Sequence, residues 1–185
     1  MFARLSRCGS RREHRFWNST GRPSSQSEIV AGPRRSLAAV EPGFFEIVRN
    51  AFEGFVAGVD GRRNVYVHSR GLKVWFDDDS REHYESQLIR VDGEVQLEIG
   101  FHTEHPNAPQ NDAVLQRLLA LEPAWRAELG DDAVAGNFIG RAGWRRISEV
   151  WPAPDSQDID EAIEAAARLA DYVIALEPLR RAASG

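Results

Sequence analysis

Residues 83–102 read HYESQLIRVDGEVQLEIGFH. Two β-like segments, Tyr84–Val91 and Glu94–His102, flank the pair Asp92–Gly93. A two-residue Asp-Gly link favours a type I′ hairpin turn, because both central positions need positive φ. With that turn, Val91 pairs with Glu94. Counting outward, Gln87 faces Glu98, Glu85 faces Gly100, and His83 faces His102. Side chains point alternately to the two faces of a strand, so His83, Glu85, Gln87, Glu98 and His102 share one face. Tyr84, Leu88, Val95, Leu97, Ile99 and Phe101 share the other, which is the expected core side. A one-residue slip would mix the two sets.

On the N-terminal side, Val65–Ser69 and Leu72–Phe76 read as two more short strands around Arg70–Gly71, followed by an acidic turn at Asp77–Asp79. Before them, Phe44, Phe45, Val48, Phe52, Phe55 and Val56 recur at helical spacing, which predicts a helix near 42–57 opened by Pro42. On the C-terminal side, Asn111 is the expected cap of a helix through Leu121. Pro123 interrupts it, and Gly130 ends a short second piece. Ala133–Ile139 and Trp144–Trp151 read as another antiparallel pair. Asp158 and Glu161 form a capping-box pattern for a long last helix with Ile159, Ile163, Ala166, Ala167, Ala170, Val173 and Ile174 as its apolar face. The expected fold is α+β, with an antiparallel sheet of about six strands and three main helices packed mostly on one face, in the order α-β-β-β-β-α-β-β-α.

The chain divides into a basic arm, residues 1–43, and a single acidic domain, residues 44–182. The arm holds eight arginines against three glutamates, together with seven serines, while the whole chain carries a net charge of −5. Such a segment buries too little apolar surface to offset ordering entropy, so it is expected to be disordered. It reads as a dispensable extension, an organelle-targeting peptide, or a tether that brings its arginines with Phe16 and Trp17 to nucleic acid. An acidic domain is a poor default binder of polyanions, so nucleic acid is expected to be contacted only through residues 1–43. Cys8 is the only cysteine, which excludes an intramolecular disulfide and any cysteine-cluster metal site. No apolar run approaches the ~20 residues of a membrane helix. The expected location is cytoplasmic, with organelle targeting as the alternative.

The functional residues of interest lie on the polar face of the hairpin. His83, Glu98 and His102 are the candidate catalytic groups. With His105, they are also the candidate ligands of a divalent transition metal, the one cofactor the residues suggest as an alternative to none. Glu85, Gln87, Arg145 and Arg146 are candidate ligand-binding residues. By alternation, Arg146 lies with Trp144 and Ser148, and Arg145 with Ile147, Glu149 and Trp151. Gly100 opposite Glu85 leaves space in which a ligand could approach the backbone. Against these readings stands an ordinary solvated face of mixed polar residues.

There is no phosphate loop, dinucleotide fingerprint or nucleophile elbow. The leading expectation is therefore a small soluble, non-catalytic binding or accessory domain for a small molecule or protein. The alternatives are a metal-assisted hydrolase or lyase using the His/Glu cluster, and a nucleic-acid-associated protein acting through its arm.

Overall fold

The computed structural model describes residues 43–182, so the expectations for the arm lie outside the described residues. Ten elements follow one another: α1 (Gly43–Phe55), β1 (Arg63–His68), β2 (Gly71–Phe76), β3 (Glu82–Val91), β4 (Glu94–Thr103), α2 (Ala108–Leu119), α3 (Glu122–Leu129), β5 (Val134–Phe138), β6 (Arg141–Pro152) and α4 (Ile159–Ala182). The six strands form one antiparallel sheet in the order β1-β2-β3-β4-β6-β5. No helix among the described residues is long and apolar enough to cross a membrane.

The β3–β4 register follows from the turn. Asp92 and Gly93 take φ values of 50° and 88°, the positive pair that a type I′ link requires. His83 therefore pairs with His102, Glu85 with Gly100, and Gln87 with Glu98. β6 then adds to the free edge of β4, pairing Glu98 with Val150, Gly100 with Ser148, and His102 with Arg146.

One face of the sheet carries Leu72, Val74, Phe76, Tyr84, Leu88, Leu97, Ile99, Phe101 and Ile147, all buried. α4 packs on β3 and β4, α1 on β1, β2 and α4, and α2 on β6. Two buried carboxylates fasten α4 to this face. Glu149 accepts hydrogen bonds from Arg168 (2.6 and 2.9 Å), Tyr172 (3.1 Å) and Trp151 (2.6 Å). Glu177 accepts from Tyr84 (3.1 Å), Arg180 and Arg181. Each buried charge is thus paired and hydrogen-bonded, as burial demands.

Four local expectations are corrected. Asn111 does not cap α2; the N-cap is Asn107, with a proline in the first turn. Asn111 is instead buried inside the helix, where its side chain has more to satisfy. Its Oδ1 accepts from Thr103 Oγ1 and His105 N, both at 2.8 Å, and its Nδ2 donates to His105 O (2.9 Å) and Gly143 O (2.8 Å). Asn111→Ala should cost about 2–4 kcal/mol, since it strands several buried partners; the shift in urea midpoint at constant slope measures it.

On α4, Ile159, Ile163 and Ile174 are exposed, while Ala162, Ala165, Ala166, Leu169, Ala170, Tyr172, Val173 and Leu176 are buried. The small alanines let the helix approach α1 and the sheet closely, which turns the larger isoleucines outward. On α1, Phe55 is likewise exposed. Asp158 does cap α4 through the backbone N–H groups of Asp160 and Glu161 (2.8 and 3.2 Å). The Glu161 side chain accepts from the Asp155 N–H rather than completing a capping box.

Candidate metal centre

The opposite face of the central hairpin is polar and buried. His83, Glu98, His102 and Ser148 are fully buried, and Glu85 is 7% exposed. A solvated face is therefore not what the structure holds. Glu104 joins the set because the Glu104 N–H donates to Arg81 O (2.9 Å), extending the β3–β4 ladder by one residue. Two residues beyond His102, it points to the same face.

His83 and His102 stand edge to face, their ring centroids 5.4 Å apart. Glu85 lies between them. Its Oε2 is 3.4 Å from His83 Nε2 and 3.4 Å from His102 Nδ1. Glu104 Oε1 is 3.9 Å from His83 Nε2. One ligand atom from each of His83, Glu85, His102 and Glu104 lies within 4.8 Å of all the others. Neighbouring ligands of a tetrahedral ion with ~2.1 Å bonds are ~3.4 Å apart, so the wider of these separations would close by about 1 Å on binding. Among the described residues, both ring nitrogens of His83 and both of His102 lack a partner in hydrogen-bonding geometry. His102 faces Glu85 and Glu98 at 3.4 and 3.5 Å, so the cost of buried nitrogens without a bonded partner falls most on His83, and a cation bound between the two rings would satisfy one nitrogen on each.

Around these four side chains lies a second layer. His102 Nε2 is 3.5 Å from Glu98 Oε1. His68 Nε2 is 3.4 Å from Glu85 Oε1, and Lys73 Nζ is 3.8 Å from Glu104 Oε2. Phe138 packs edge-on against His102, with ring centroids 5.1 Å apart, and Trp144 packs on Phe138 at 5.7 Å.

The electrostatics are unequal across the pair. Burial pulls the His83 imidazole down to about 4; Glu85 offsets this only in part, and His102 adds to the fall. Burial also opposes protonation of His102, but Glu98 and Glu85 outweigh it and raise that ring to about 9. Burial favours the protonated form of Glu85, yet His102, His68 and His83 pull it well below the ordinary carboxylate range. Glu98 is lowered in the same way, against burial, by His102, Ser148 and Arg146. Glu104 is raised by burial, which Lys73 counters only in part.

These shifts predict a pH profile for the metal-free protein. Below the unfolded histidine value of ~6.5, the unfolded chain protonates both rings while the folded chain protonates His102 alone, so the histidines make stability rise from about pH 4 to 6.5. Above 6.5 the folded chain retains a proton that the unfolded chain has lost. Their contribution then falls as pH rises toward 9. The limiting slope on either side is ~1.4 kcal/mol per pH unit. Urea titrations in chelator-treated buffer should show this maximum near pH 6.5, and His102→Gln should remove the alkaline limb.

The structure brings together most of the residues singled out from the sequence. His83, His102 and Glu85 converge, while Glu98 sits behind His102 rather than beside the other ligand atoms. Gln87 and Arg146 both contact Glu98, with Gln87 Nε2 at 3.3 Å from Oε2 and Arg146 Nη1 at 3.1 Å from Oε1. Arg145 is on the helix side of the sheet, paired with Asp112 at 2.5 Å. His105 is also on the helix side, its Nε2 3.3 Å from Glu82 Oε1. There it forms a separate, edge-lying group with Glu82 and Asp79. The space expected beside Gly100 is filled by β6: a Cβ on Gly100 would lie 2.4 Å from Ile147 O and 2.3 Å from Ser148 Cβ. Lys73, opposite Glu85 on β2, and Glu104, one residue past β4, complete the site from outside the hairpin pairs that the turn defines. The i, i+2 step from His102 to Glu104 is the sequence signal for Glu104, and it holds because the ladder continues one residue past Thr103.

No protein-family model, no curated protein and no solved structure matches the chain.

Proposed function

We propose that this chain binds one divalent transition metal ion through His83, Glu85, His102 and Glu104 and acts as a metal-assisted hydrolase or lyase on a small molecule. The observation that carries the reading is the convergence of two buried, hydrogen-bond-orphaned imidazoles with two carboxylates. A mixed nitrogen and oxygen donor set suits zinc, iron(II), manganese or nickel. All four side chains rise from the same face of two neighbouring strands, so they would occupy one side of the ion. Ligands gathered on one side leave coordination positions open for water or substrate, the arrangement that separates catalytic from closed structural sites. Such an ion lowers the pKa of a bound water and polarises a carbonyl or phosphoryl oxygen.

A second reading, a metal with a purely structural role, is favoured by the complete burial of both histidines. The two are separated by assaying the full chain, loaded in turn with zinc, manganese, iron(II) and nickel, against ester, amide, phosphoester and lyase substrates. Metal-dependent turnover that a chelator and His83→Ala both abolish supports the catalytic reading. Stabilisation by metal without turnover of any substrate favours the structural one.

A further inference from the structure

The metal reading leaves Glu98 without a role. It is fully buried, yet its oxygens are not among the converging ligand atoms. Its surroundings instead fix it in one orientation. Ser148 Oγ donates to Oε1 at 2.7 Å, Arg146 Nη1 donates to the same oxygen at 3.1 Å, and Gln87 Nε2 donates to Oε2 at 3.3 Å. Arg146 also donates to Ser148 Oγ at 2.7 Å and to Asn137 O at 3.3 Å, which ties this group to β5. Three strands thus contribute to holding one carboxylate.

The held carboxylate faces only one nitrogen of His102. Glu98 Oε1 is 3.5 Å from Nε2, whereas Nδ1 is turned toward Glu85 Oε2 at 3.4 Å. The two nitrogens of an imidazole point in diverging directions, so one ion cannot be reached by both carboxylates through the same ring. A carboxylate on one nitrogen accepts its N–H, and the other nitrogen is then the one with a lone pair to give. Metal-binding histidines commonly have such an outer partner, which orients the ring and raises its basicity.

We propose that Glu98 is a positioning residue that accepts the Nε2–H of His102 and thereby commits Nδ1 to the metal, with Ser148, Arg146 and Gln87 as its supports. This rests on the metal reading above and adds which atom of His102 binds and why. It also assigns Glu98 to the outer layer rather than to the ligand set. Among the described residues no carboxylate stands at His83 Nδ1, while Glu85 and Glu104 lie near its Nε2, so the two histidines are expected to bind through different nitrogens, Nε2 for His83 and Nδ1 for His102.

The test uses zinc and the full chain. Imidazole-¹⁵N spectra of the zinc-loaded protein should show His102 protonated at Nε2 and bound at Nδ1. Zinc affinity, read by competition with a chelating indicator, should fall about 10–100-fold in Glu98→Gln, the range for loss of an outer partner. It should fall less in Ser148→Ala, which removes one support. A general loss of packing would lower affinity without changing which nitrogen carries the proton; in Glu98→Gln the fixed Nε2–H signature should be lost. Should Glu98→Gln fail to fold, the wild-type spectrum and Ser148→Ala still decide. Zinc on His102 Nε2, or a folded Glu98→Gln with affinity within twofold of wild type, would overturn the proposal and leave the metal site standing. A wild-type chain that takes up no zinc would overturn both.

Discussion

Gly100→Ala should be among the most damaging single substitutions in the domain, costing about 3–5 kcal/mol. Its added Cβ would lie 2.4 Å from Ile147 O and within 2.5 Å of Ser148 Cβ and Cα. These are backbone atoms and the first side-chain carbon of β6, so no rotamer change relieves the clash and the strands must separate. Separation would break the β4–β6 ladder at the centre of the sheet and move Ser148 away from Glu98. Urea denaturation monitored by tryptophan fluorescence reads the loss directly. A change below about 1 kcal/mol would show that the β4–β6 register differs from the one described.

The second large effect has opposite signs in two assays. His83→Leu should abolish metal binding, yet leave the metal-free protein as stable as wild type or more stable by about 1–2 kcal/mol. Among the described residues, neither nitrogen of the buried His83 ring has a hydrogen-bond partner, and replacing such a group by an apolar one of similar volume removes a desolvation cost that only a bound ion would offset. His102 is expected to behave differently. Its imidazolium lies between Glu85 and Glu98, so His102→Leu leaves two buried carboxylates short of a partner and should destabilise by about 3–5 kcal/mol. Paired melting curves and zinc titrations of the two variants measure both effects. A strongly destabilised His83→Leu would mean that the ring is held for packing rather than kept for a ligand.

Much of the architecture was legible because local signals agreed with one another. Asp92–Gly93 set the turn, the turn set the register, and the register sorted Tyr84, Leu97, Ile99 and Phe101 from His83, Glu85 and His102. Where the reading failed, longer-range packing had overridden a local preference. Asn111 looks like a helix cap by type, but its four hydrogen bonds run to β4, the segment after it and β6, none of which helix periodicity reveals. On α4, Ala166, Ala170 and Val173 of the expected face are buried, but Ile159, Ile163 and Ile174 are exposed: isoleucine outranks alanine in hydrophobicity, whereas close approach to α1 selects for small volume.

The candidate site was half legible for a related reason. A single hairpin determines which side chains share a face, and so His83, Glu85 and His102 could be grouped. Whether that face is buried, and which carboxylate turns toward which ring nitrogen, depends on β6 and on side-chain rotamers. Glu98 and Glu85 are equivalent in the alternation pattern. They part only when Ser148 and Arg146 arrive from β6 to hold Glu98 on the far side of His102.

The central claim is that His83, Glu85, His102 and Glu104 hold a divalent metal, and the most direct measurement is metal content. The full chain, purified without an affinity tag, should contain about one transition-metal ion per molecule by elemental analysis. The chelated protein should regain its ion and gain in Tm on adding zinc, manganese or nickel, and His83→Leu should do neither. Wild-type protein with no stoichiometric metal and no thermal shift on any of these ions would contradict the account.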